Sequence, residues 1–410
     1  MRNEKKLKFG LLGKKLSHSF SKEIHHYIGN YEYKLYEKEE YEIKDFINSD
    51  ITGFNITSPY KIEIIKYLDE ISPEAKKIGA VNTVIKRCGK LIGYNTDYFG
   101  FLYLLNSFNI DFKKAIILGD GATSKTISQV LKDKNVEFVV ISRKNHPFYS
   151  EIYNYKNYDL LINATPVGMY PKNGESLVDL DEFENLKCVI DVIYNPFISE
   201  LLFKAKDKNI KYENGLKMLV VQAIESSKIF TDKKNILLEK EIEKFIKEKR
   251  NIVLIGMPGS GKSTIAKIIA KKTNKKLIDI DYEIEKKEKE SIEDIFQKKG
   301  ELYFRELELN FAKKFGKENN QVIATGGGIV KDKRNYKYLK QNGKIYFINR
   351  KLKYLSTKNR PLSKNLEEIE KIYNERKNNY EYFSDLNVCN IKINDTANYI
   401  IGDFYENTCN

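Results

Sequence analysis

Two segments of this 410-residue chain share one pattern, an apolar strand followed by a glycine-rich turn and a helix. They read "KKAIILGDGATSKTISQVLKDK" from residue 113 and "NIVLIGMPGSGKSTIAKIIAKK" from residue 251. Such a turn follows a strand of a parallel sheet and brings backbone N–H groups and a helix amino terminus to a phosphate. Because 410 residues also exceed what one hydrophobic core usually supports, we expect two or three compact α/β units.

Composition excludes several classes of protein. The chain is 41% hydrophobic, and its four cysteines (88, 188, 389 and 409) form no C-x-x-C pair, which argues against a disulfide framework and a zinc site. No apolar run reaches 18 residues, so we expect a cytoplasmic protein without a membrane span. We expect it to be a monomer or a homodimer. The formal charge of +14 is spread among acidic residues, which argues against nucleic acid as a partner.

The order of patterns predicts three domains. Residues 1–100 alternate short strands with helical patterns such as "PYKIEIIKYLDEIS" (59–72), which indicates an α/β unit. Residues 101–214 predict a doubly wound nucleotide-binding unit, and "GLKMLVVQAIESSKIF" (215–230) and "NILLEKEIEKFIKEKR" (235–250) predict two further helices. Residues 251–405 form the last unit, an α/β domain with a parallel sheet.

The second glycine turn predicts an ATP site. It fits G-x-x-x-x-G-K-[ST] between a buried strand and a helix, the context that supports a P-loop. Lys262 would reach the β and γ phosphates, and the Ser263 hydroxyl would bind Mg²⁺. We assign the whole turn to the nucleotide, namely Gly256, Gly259, Ser260, Gly261, Lys262, Ser263 and Thr264.

Residues that follow the P-loop predict a phosphoryl acceptor site. Asp279 and Asp281 stand two apart at a predicted strand end, so both are expected on one side near the P-loop, one for the Mg²⁺ shell and one to accept a hydroxyl proton. Arg305 precedes Glu308 by one helical turn. Further candidates are Gly326, Gly327, Gly328, Arg360 and Arg376. Each of these also fits a surface arginine, a tight turn or a helix cap.

The first glycine turn predicts a dinucleotide site. Gly119-x-Gly121 follows a strand and opens a helix, and the next strand ends at Ser142-Arg143-Lys144, where an NAD enzyme usually carries an acid. A cationic pair suits a 2′-phosphate, so we predict NADP(H). The Asp120 carboxylate is expected to point away from the pyrophosphate.

The preceding residues supply candidates for hydroxyl/ketone interconversion. Lys61 and Asp97 would act as acid and base if they converge, although Lys61 also fits a solvated lysine at a helix start. Ser19 and Ser21 stand two apart and would hold a substrate carboxylate, with Asn82 as a further polar candidate.

Taken together and in this order, the motifs of residues 251–405 resemble shikimate kinase. The resemblance implies that Asp281 binds the ring hydroxyls and takes the proton. It also implies that Arg305, the three glycines and Arg376 bind the substrate ring and its carboxylate, and that Arg360 belongs to a lid over the phosphates.

The motifs of residues 8–245 resemble shikimate dehydrogenase: S-x-S, N-x-T-x-P-x-K, G-A-V-N-T, N-T-D, I-N-A-T-P, D-x-x-Y-x-P and G-L-x-M-L-x-x-Q-A. The resemblance implies Lys61 and Asp97 as the catalytic pair and Tyr194 at the domain cleft. Its substrate contacts match Ser19, Ser21, Thr57, Asn82 and Gln222. The cofactor is assigned to Gly119, Gly121, Ala122, Ser142, Arg143, Lys144 and Gly215. The late helix would pack on the first domain, so that residues 1–100 and 215–248 enclose 101–214.

The two resemblances imply consecutive reactions. The first part would reduce 3-dehydroshikimate to shikimate with NADPH, and the second would phosphorylate shikimate with ATP and Mg²⁺, as in aromatic amino-acid biosynthesis. Two alternatives stay open. One is a quinate/shikimate dehydrogenase joined to another small-molecule P-loop kinase. The other is a P-loop regulator or nucleic-acid-dependent ATPase, with a degenerate binding domain in the amino-terminal part of the chain.

Overall fold

The computed structural model describes residues 7–16, 19–29, 31–232, 239–355 and 366–406. The chain divides into two compact units, Met1–Ile246 and Lys247–Asn410. The first unit contains two sheets and the second contains one, so the predicted α/β class is confirmed. The finer domain limits at residues 100, 214 and 251 stay predictions.

The first sheet has six strands in the order β2-β1-β3-β5-β6-β4. β1 lies parallel to β2 and β3, whereas β5 runs antiparallel to β3 and β6. Its elements in chain order are β1 (Lys8–Gly13), α1 (Ser21–Ile28), β2 (Glu32–Glu37), a 3₁₀ turn (Glu40–Glu42), α2 (Ile43–Asn48), β3 (Gly53–Ile56), a 3₁₀ turn (Glu63–Tyr67), β4 (Glu70–Ile71), α3 (Pro73–Ile78), β5 (Thr83–Arg87) and β6 (Lys90–Tyr94).

The helical pattern predicted for residues 59–72 is wrong. That segment forms the 3₁₀ turn Glu63–Tyr67 and then β4, which pairs with β6. The apolar spacing reflects Tyr60 and Ile64, which are buried against the sheet. Asp69 ends the turn, because its backbone N–H donates to the Leu91 carbonyl and its carboxylate accepts from the Leu91 N–H.

The second sheet is parallel throughout, in the order β11-β10-β9-β7-β8. β9 and β10 are buried at every position, as expected for strands covered on both faces. The elements in chain order are α4 (Asp97–Asn106), β7 (Lys114–Leu118), α5 (Ala122–Asp133), β8 (Glu137–Ile141), a 3₁₀ helix (Tyr149–Tyr155), β9 (Leu160–Asn163), β10 (Cys188–Asp191), α6 (Glu200–Asp207) and β11 (Lys211–Asn214).

Two helices complete the first unit. α7 (Leu216–Thr231) returns to the first sheet, where the Asn55 amide donates to the Ser226 hydroxyl over 2.7 Å. α7 also packs tightly on α4, since a Cβ on Gly100 would lie 2.5 Å from the Met218 carbonyl oxygen. α8 (Glu239–Lys247) buries Ile242 beside α7. The helix predicted for 235–250 is present from Glu239 to Lys247, residues 248–250 form a turn and a bend instead, and residues 235–238 lie outside the described residues.

The second unit has a five-stranded parallel sheet in the order β13-β14-β12-β15-β16. Its elements are β12 (Asn251–Ile255), α9 (Lys262–Thr273), β13 (Lys276–Asp279), α10 (Ile280–Glu288), α11 (Ile292–Gly316, kinked at Gly300), β14 (Gln321–Ala324), a 3₁₀ turn (Ile329–Lys331), α12 (Arg334–Lys340), β15 (Gly343–Asn349), a 3₁₀ turn (Leu352–Tyr354), α13 (Leu366–Phe383), β16 (Leu386–Cys389) and α14 (Ile393–Glu406). None of the helices in the described residues has the length and apolar character to cross a bilayer.

Candidate active sites

The first unit contains a cavity of about 420 Å³ that is lined by residues of the first sheet and by loops that follow strands of the second sheet. The predicted catalytic and substrate residues of this unit all line it, together with one residue assigned to the cofactor. They are Ser19, Ser21, Thr57, Lys61, Asn82, Asp97, Tyr194, Gly215 and Gln222. Residues that the sequence separates by up to about 200 positions therefore share one cavity.

Lys61 and Asp97 form an ion pair at this cavity. Lys61 lies in the turn after β3, and Asp97 is the first residue of α4. The Lys61 Nζ donates to the Asp97 Oδ2 over 2.6 Å, and the two side chains are 12% and 8% exposed. The ion pair places an N–H donor and a carboxylate side by side at the cavity, so it can supply a proton to a bound ligand.

A buried polar network holds the amide side chains at the cavity. The Asn82 Nδ2 donates to the Thr96 Oγ1 over 2.9 Å and to the Gln222 Oε1 over 3.4 Å. The Asn55 amide, which also lines the cavity, donates to Ser226 on α7. Sequence reasoning missed Asn55 and Ser226, although an asparagine among the four buried residues of β3 is a usable signal.

Ser19, Ser21 and Tyr194 lie together on one wall. The Ser19 hydroxyl donates to the Ser21 hydroxyl over 3.0 Å, and the Ser21 N–H donates to the Ser19 hydroxyl over 3.2 Å. Burial raises the pKa of the Tyr194 phenol, which also hydrogen-bonds with Ser19. The wall therefore presents hydroxyl groups that suit a polar or anionic substrate group.

The first glycine turn joins β7 to α5. Gly119 has φ of 99°, and a Cβ there would lie 2.8 Å from the Thr165 Cγ2, so only glycine fits. Gly121 caps α5, which begins at Ala122, and the space over Gly121 is open. The turn thus leaves room for a phosphate at the amino end of α5, and Gly215 lies at the start of α7.

The loop after β8 contains the predicted cationic residues. Arg143 and Lys144 are exposed, whereas Ser142 is buried. The Ser142 hydroxyl accepts from the N–H groups of Lys144 and Asn145, over 3.2 and 2.9 Å, so it fixes the loop. The Asp120 carboxylate of the glycine turn points to this loop, where its Oδ2 accepts from the Asn145 Nδ2 over 2.8 Å.

The second unit places the P-loop at the carboxyl end of β12. Gly256, Gly259 and Gly261 have φ of 146°, 83° and 97°, values that favour glycine. The Lys262 ammonium donates to the carbonyls of Gly256 and Met257, over 2.8 and 3.0 Å. A cavity of about 770 Å³ opens beside the turn, and Ser263 and Thr264 line it. Ser260 of the same turn is buried, and its carbonyl oxygen accepts a hydrogen bond from the Asn390 Nδ2.

Two buried carboxylates face each other across Gly326 in this cavity. A Cβ on Gly326 would lie 2.5 Å from the Glu308 Oε1 and 2.6 Å from the Asp281 Oδ1. These two oxygens have no hydrogen-bond partner among the described residues. Burial and the Asp279 charge raise the pKa of Asp281 to about 6. Burial also raises the pKa of Glu308 to about 7, although its ion pair with Arg305 acts in the opposite direction.

The prediction that Asp279 and Asp281 both lie at the end of one strand is wrong. Asp279 ends β13 and caps α10, where its carboxylate accepts from the Tyr282 N–H over 3.5 Å, and it is not among the residues that line the cavity. Asp281 lies in the first turn of α10. The strand ends two residues earlier than predicted because α10 begins at Ile280.

Three arginines also line this cavity. Arg376 is 4% exposed, and its Nη1 donates to the Gly327 carbonyl over 3.0 Å. Arg305 lies beside Gly328 and between Glu301 and Glu308. Sequence reasoning missed Arg350, whose Nη1 lies 3.5 Å from the Gly259 carbonyl oxygen. Arg350 could have been found from its position, because it directly follows β15, the strand that lies next to β12 and the P-loop. The predicted lid residue Arg360 lies outside the described residues.

Comparison with known proteins gives two family matches. The model of the shikimate dehydrogenase substrate binding domain matches residues 11–84, and that of shikimate kinase matches residues 258–402. The shikimate dehydrogenase (NADP(+)) of Clostridium beijerinckii is 40% identical over 247 residues, which cover 55% of this chain and 92% of that protein.

Solved structures agree with these matches. Shikimate dehydrogenase 1 from Peptoclostridium difficile is 39% identical with a TM-score of 0.56, covering 58% of this chain and 97% of its own. Shikimate 5-dehydrogenase from Thermus thermophilus, solved with NADP(H) and shikimate, is 27% identical with a TM-score of 0.53, over 58% and 97% of the two chains.

The rival identification as a P-loop regulator is not supported by these matches, which place the P-loop in a shikimate kinase domain. The chain therefore belongs to the shikimate dehydrogenase family and carries a shikimate kinase domain after it, which together indicate a bifunctional enzyme of the shikimate pathway.

Proposed function

We propose that the first unit reduces 3-dehydroshikimate to shikimate with NADPH, and that the second unit phosphorylates shikimate with MgATP to give shikimate 3-phosphate. One observation carries the proposal: a largely shielded Lys–Asp ion pair lines the cavity of the first unit, and Asp281 and Glu308 in the second each keep one buried carboxylate oxygen without a hydrogen-bond partner among the described residues. Both cavities thus offer acid–base groups to a small polyhydroxylated acid.

In the first unit, Lys61 and Asp97 support ketone reduction. Bound NADPH supplies the hydride that goes to the carbonyl carbon. Lys61 donates the proton that the carbonyl oxygen takes up, and Asp97, 2.6 Å from its ammonium, orients it. We assign the substrate carboxylate to Ser19 and Ser21, and the ring hydroxyls to Asn82, Gln222 and Thr57.

In the second unit, Asp281 supports phosphoryl transfer. As the ring hydroxyl forms its bond to the γ-phosphorus and the bond to ADP breaks, Asp281 accepts the hydroxyl proton. With a pKa of about 6, Asp281 is mostly ionised at pH 7. This pKa is also close to the working pH, which suits a general base. Arg305 and Arg376 line the same cavity and suit the substrate carboxylate, with Glu308 holding Arg305.

The residues of both units fit the proposed cofactors. The open glycine turn and the Arg143-Lys144 pair suit NADP(H), and the P-loop with Lys262 suits ATP. Mg²⁺ neutralises phosphate charge when it is bound, and Ser263 is the group we assign to it. The described residues contain no group of three or more His, Cys, Asp or Glu that could hold a metal ion. Asp279 stays a proposed member of the outer shell.

Two assays on the full chain test this function. We expect NADPH oxidation at 340 nm with 3-dehydroshikimate, and shikimate-dependent ADP formation measured by chromatography. Faster turnover of quinate than of shikimate would favour the alternative of a quinate/shikimate dehydrogenase joined to another small-molecule kinase. ATP hydrolysis stimulated by nucleic acid and indifferent to shikimate would contradict the kinase assignment.

We further propose that the enzyme works in the cytoplasm, as a monomer or homodimer, without nucleic acid or a membrane as partner. The free thiols of Cys88, Cys188 and Cys389 support a reducing compartment. Gel filtration with light scattering measures the oligomeric state, and fractionation of the source cells measures the location.

A further inference from the structure

We propose that Asp120, held by Asn145, moderates the preference of the first unit for NADP⁺ over NAD⁺. The inference rests on the proposed function, because it takes the corner between the glycine turn and the loop after β8 as the site of the adenosine ribose. It adds an acidic selectivity residue within the turn to the cationic residues already assigned.

The geometry brings this acid to the cationic loop. β7 and β8 are parallel neighbours, so the segments that follow them meet at one sheet edge. There the Gly119 N–H donates to the Ile141 carbonyl over 2.8 Å. The Asn145 Nδ2 donates to the Asp120 Oδ2 over 2.8 Å, and Asn145 is itself fixed by the buried Ser142 hydroxyl. The carboxylate is therefore directed toward the loop that carries Arg143.

Electrostatic interactions also indicate that Asp120 and Arg143 lie close together. The phenol of Tyr149 interacts with both charges: Arg143 acts to lower its pKa and Asp120 acts to raise it, while burial is the main cause of its raised pKa. One corner thus contains the Arg143 guanidinium and an opposing carboxylate.

The two nucleotides respond to a carboxylate in opposite ways. NADP⁺ carries a 2′-phosphate, which a carboxylate repels, whereas NAD⁺ carries a ribose diol that donates hydrogen bonds to a carboxylate. The bond from Asn145 uses one of about four acceptor positions of the Asp120 carboxylate, so acceptor capacity remains. NAD enzymes usually place this acid at the end of the second strand, where this chain has Ser142-Arg143-Lys144. Here we infer that the glycine turn supplies it.

The test compares nucleotide binding by the full-length wild type and Asp120→Asn, measured by titration calorimetry with NADP⁺ and NAD⁺ separately. Asparagine keeps an acceptor for Asn145 and removes the charge. We expect the ratio Kd(NAD⁺)/Kd(NADP⁺) to rise about 3- to 10-fold, the size of a screened charge interaction across a few ångströms of solvent. The change should shrink in 0.5 M salt.

Asp111→Asn is the matched control. Asp111 is an exposed acid just before β7, at the opposite end of the strand from Asp120, and its substitution changes the net charge equally. We expect its ratio to stay within twofold of the wild type. An unchanged ratio in Asp120→Asn, or an equal change in Asp111→Asn, would overturn the inference even if the wild type reduces 3-dehydroshikimate. Binding of neither nucleotide by the wild type would overturn it together with the proposed function.

Discussion

Replacement of Asp281 by asparagine removes the proposed proton acceptor of the second unit without changing its size. Asp281 lies in the first turn of α10, and its buried Oδ1 atom lies in the cavity region beside Gly326. The loss of a positioned base typically lowers kcat about 10²- to 10⁴-fold, which corresponds to about 3 to 5 kcal/mol in the activation barrier. We expect kcat for shikimate phosphorylation to fall by this factor while ATP binding is retained, since Asp281 is not part of the P-loop.

The pH dependence provides a second, independent readout. Burial and the neighbouring Asp279 charge raise the pKa of Asp281 to about 6, so the basic form predominates above that pH and is lost below it. The wild-type rate should therefore fall as the pH decreases from 7 to 5. Asp281→Asn should lose this acidic limb and keep a low, flatter profile.

The assay must avoid NADH-coupled detection, because the first unit is itself proposed to use a nicotinamide cofactor. We would quantify ADP directly by chromatography from pH 5 to 8.5, with shikimate and MgATP saturating. Glu381→Gln is the control, because it makes the same carboxylate-to-amide change at an exposed position of α13. A variant Asp281→Asn with at least half of the wild-type kcat, or a wild-type profile that is flat from pH 5 to 7, would refute the base assignment.

Three further predictions follow from other residues. Lys61→Ala should abolish ketone reduction and spare the kinase, and Lys262→Ala should do the reverse; loss of both activities in either folded variant would contradict independent sites. Arg143→Ala should weaken NADPH binding by about one to two orders of magnitude and leave NADH kinetics nearly unchanged, so an equal loss with both nucleotides in steady-state kinetics would contradict its role. Burial raises the pKa of Asp191 to about 7, so the native state keeps a proton that the unfolded chain loses between about pH 4 and 7, and stability falls across that range. The Tm of Asp191→Asn minus the Tm of the wild type should therefore increase from pH 5 to pH 8. A Tm difference that stays constant over this range would contradict the prediction.

The two glycine turns could be predicted from the sequence because their constraints are local. A positive φ at Gly119 and at Gly261, a preceding strand and a following helix all lie within about 20 residues. The fold class and the assignment of ATP and NADP followed from these segments, and the comparisons support them.

Contacts across long stretches of chain could not be predicted. Asn55 and Ser226 are 171 residues apart and meet only because α7 packs back on the first sheet. The bond between Asp120 and Asn145 depends on which strands are neighbours. The error at Asp281 had another cause, since a D-x-D after apolar residues fits both an extended strand and a capped helix start.

In the proposed function, one chain performs both steps in sequence. A single incubation of the purified protein with 3-dehydroshikimate, NADPH and MgATP, followed by mass spectrometry, tests it directly. We predict that shikimate 3-phosphate accumulates, and that omission of MgATP leaves shikimate while omission of NADPH leaves the starting ketone. Absence of a phosphorylated product in the complete mixture, or its formation without NADPH, would contradict the account.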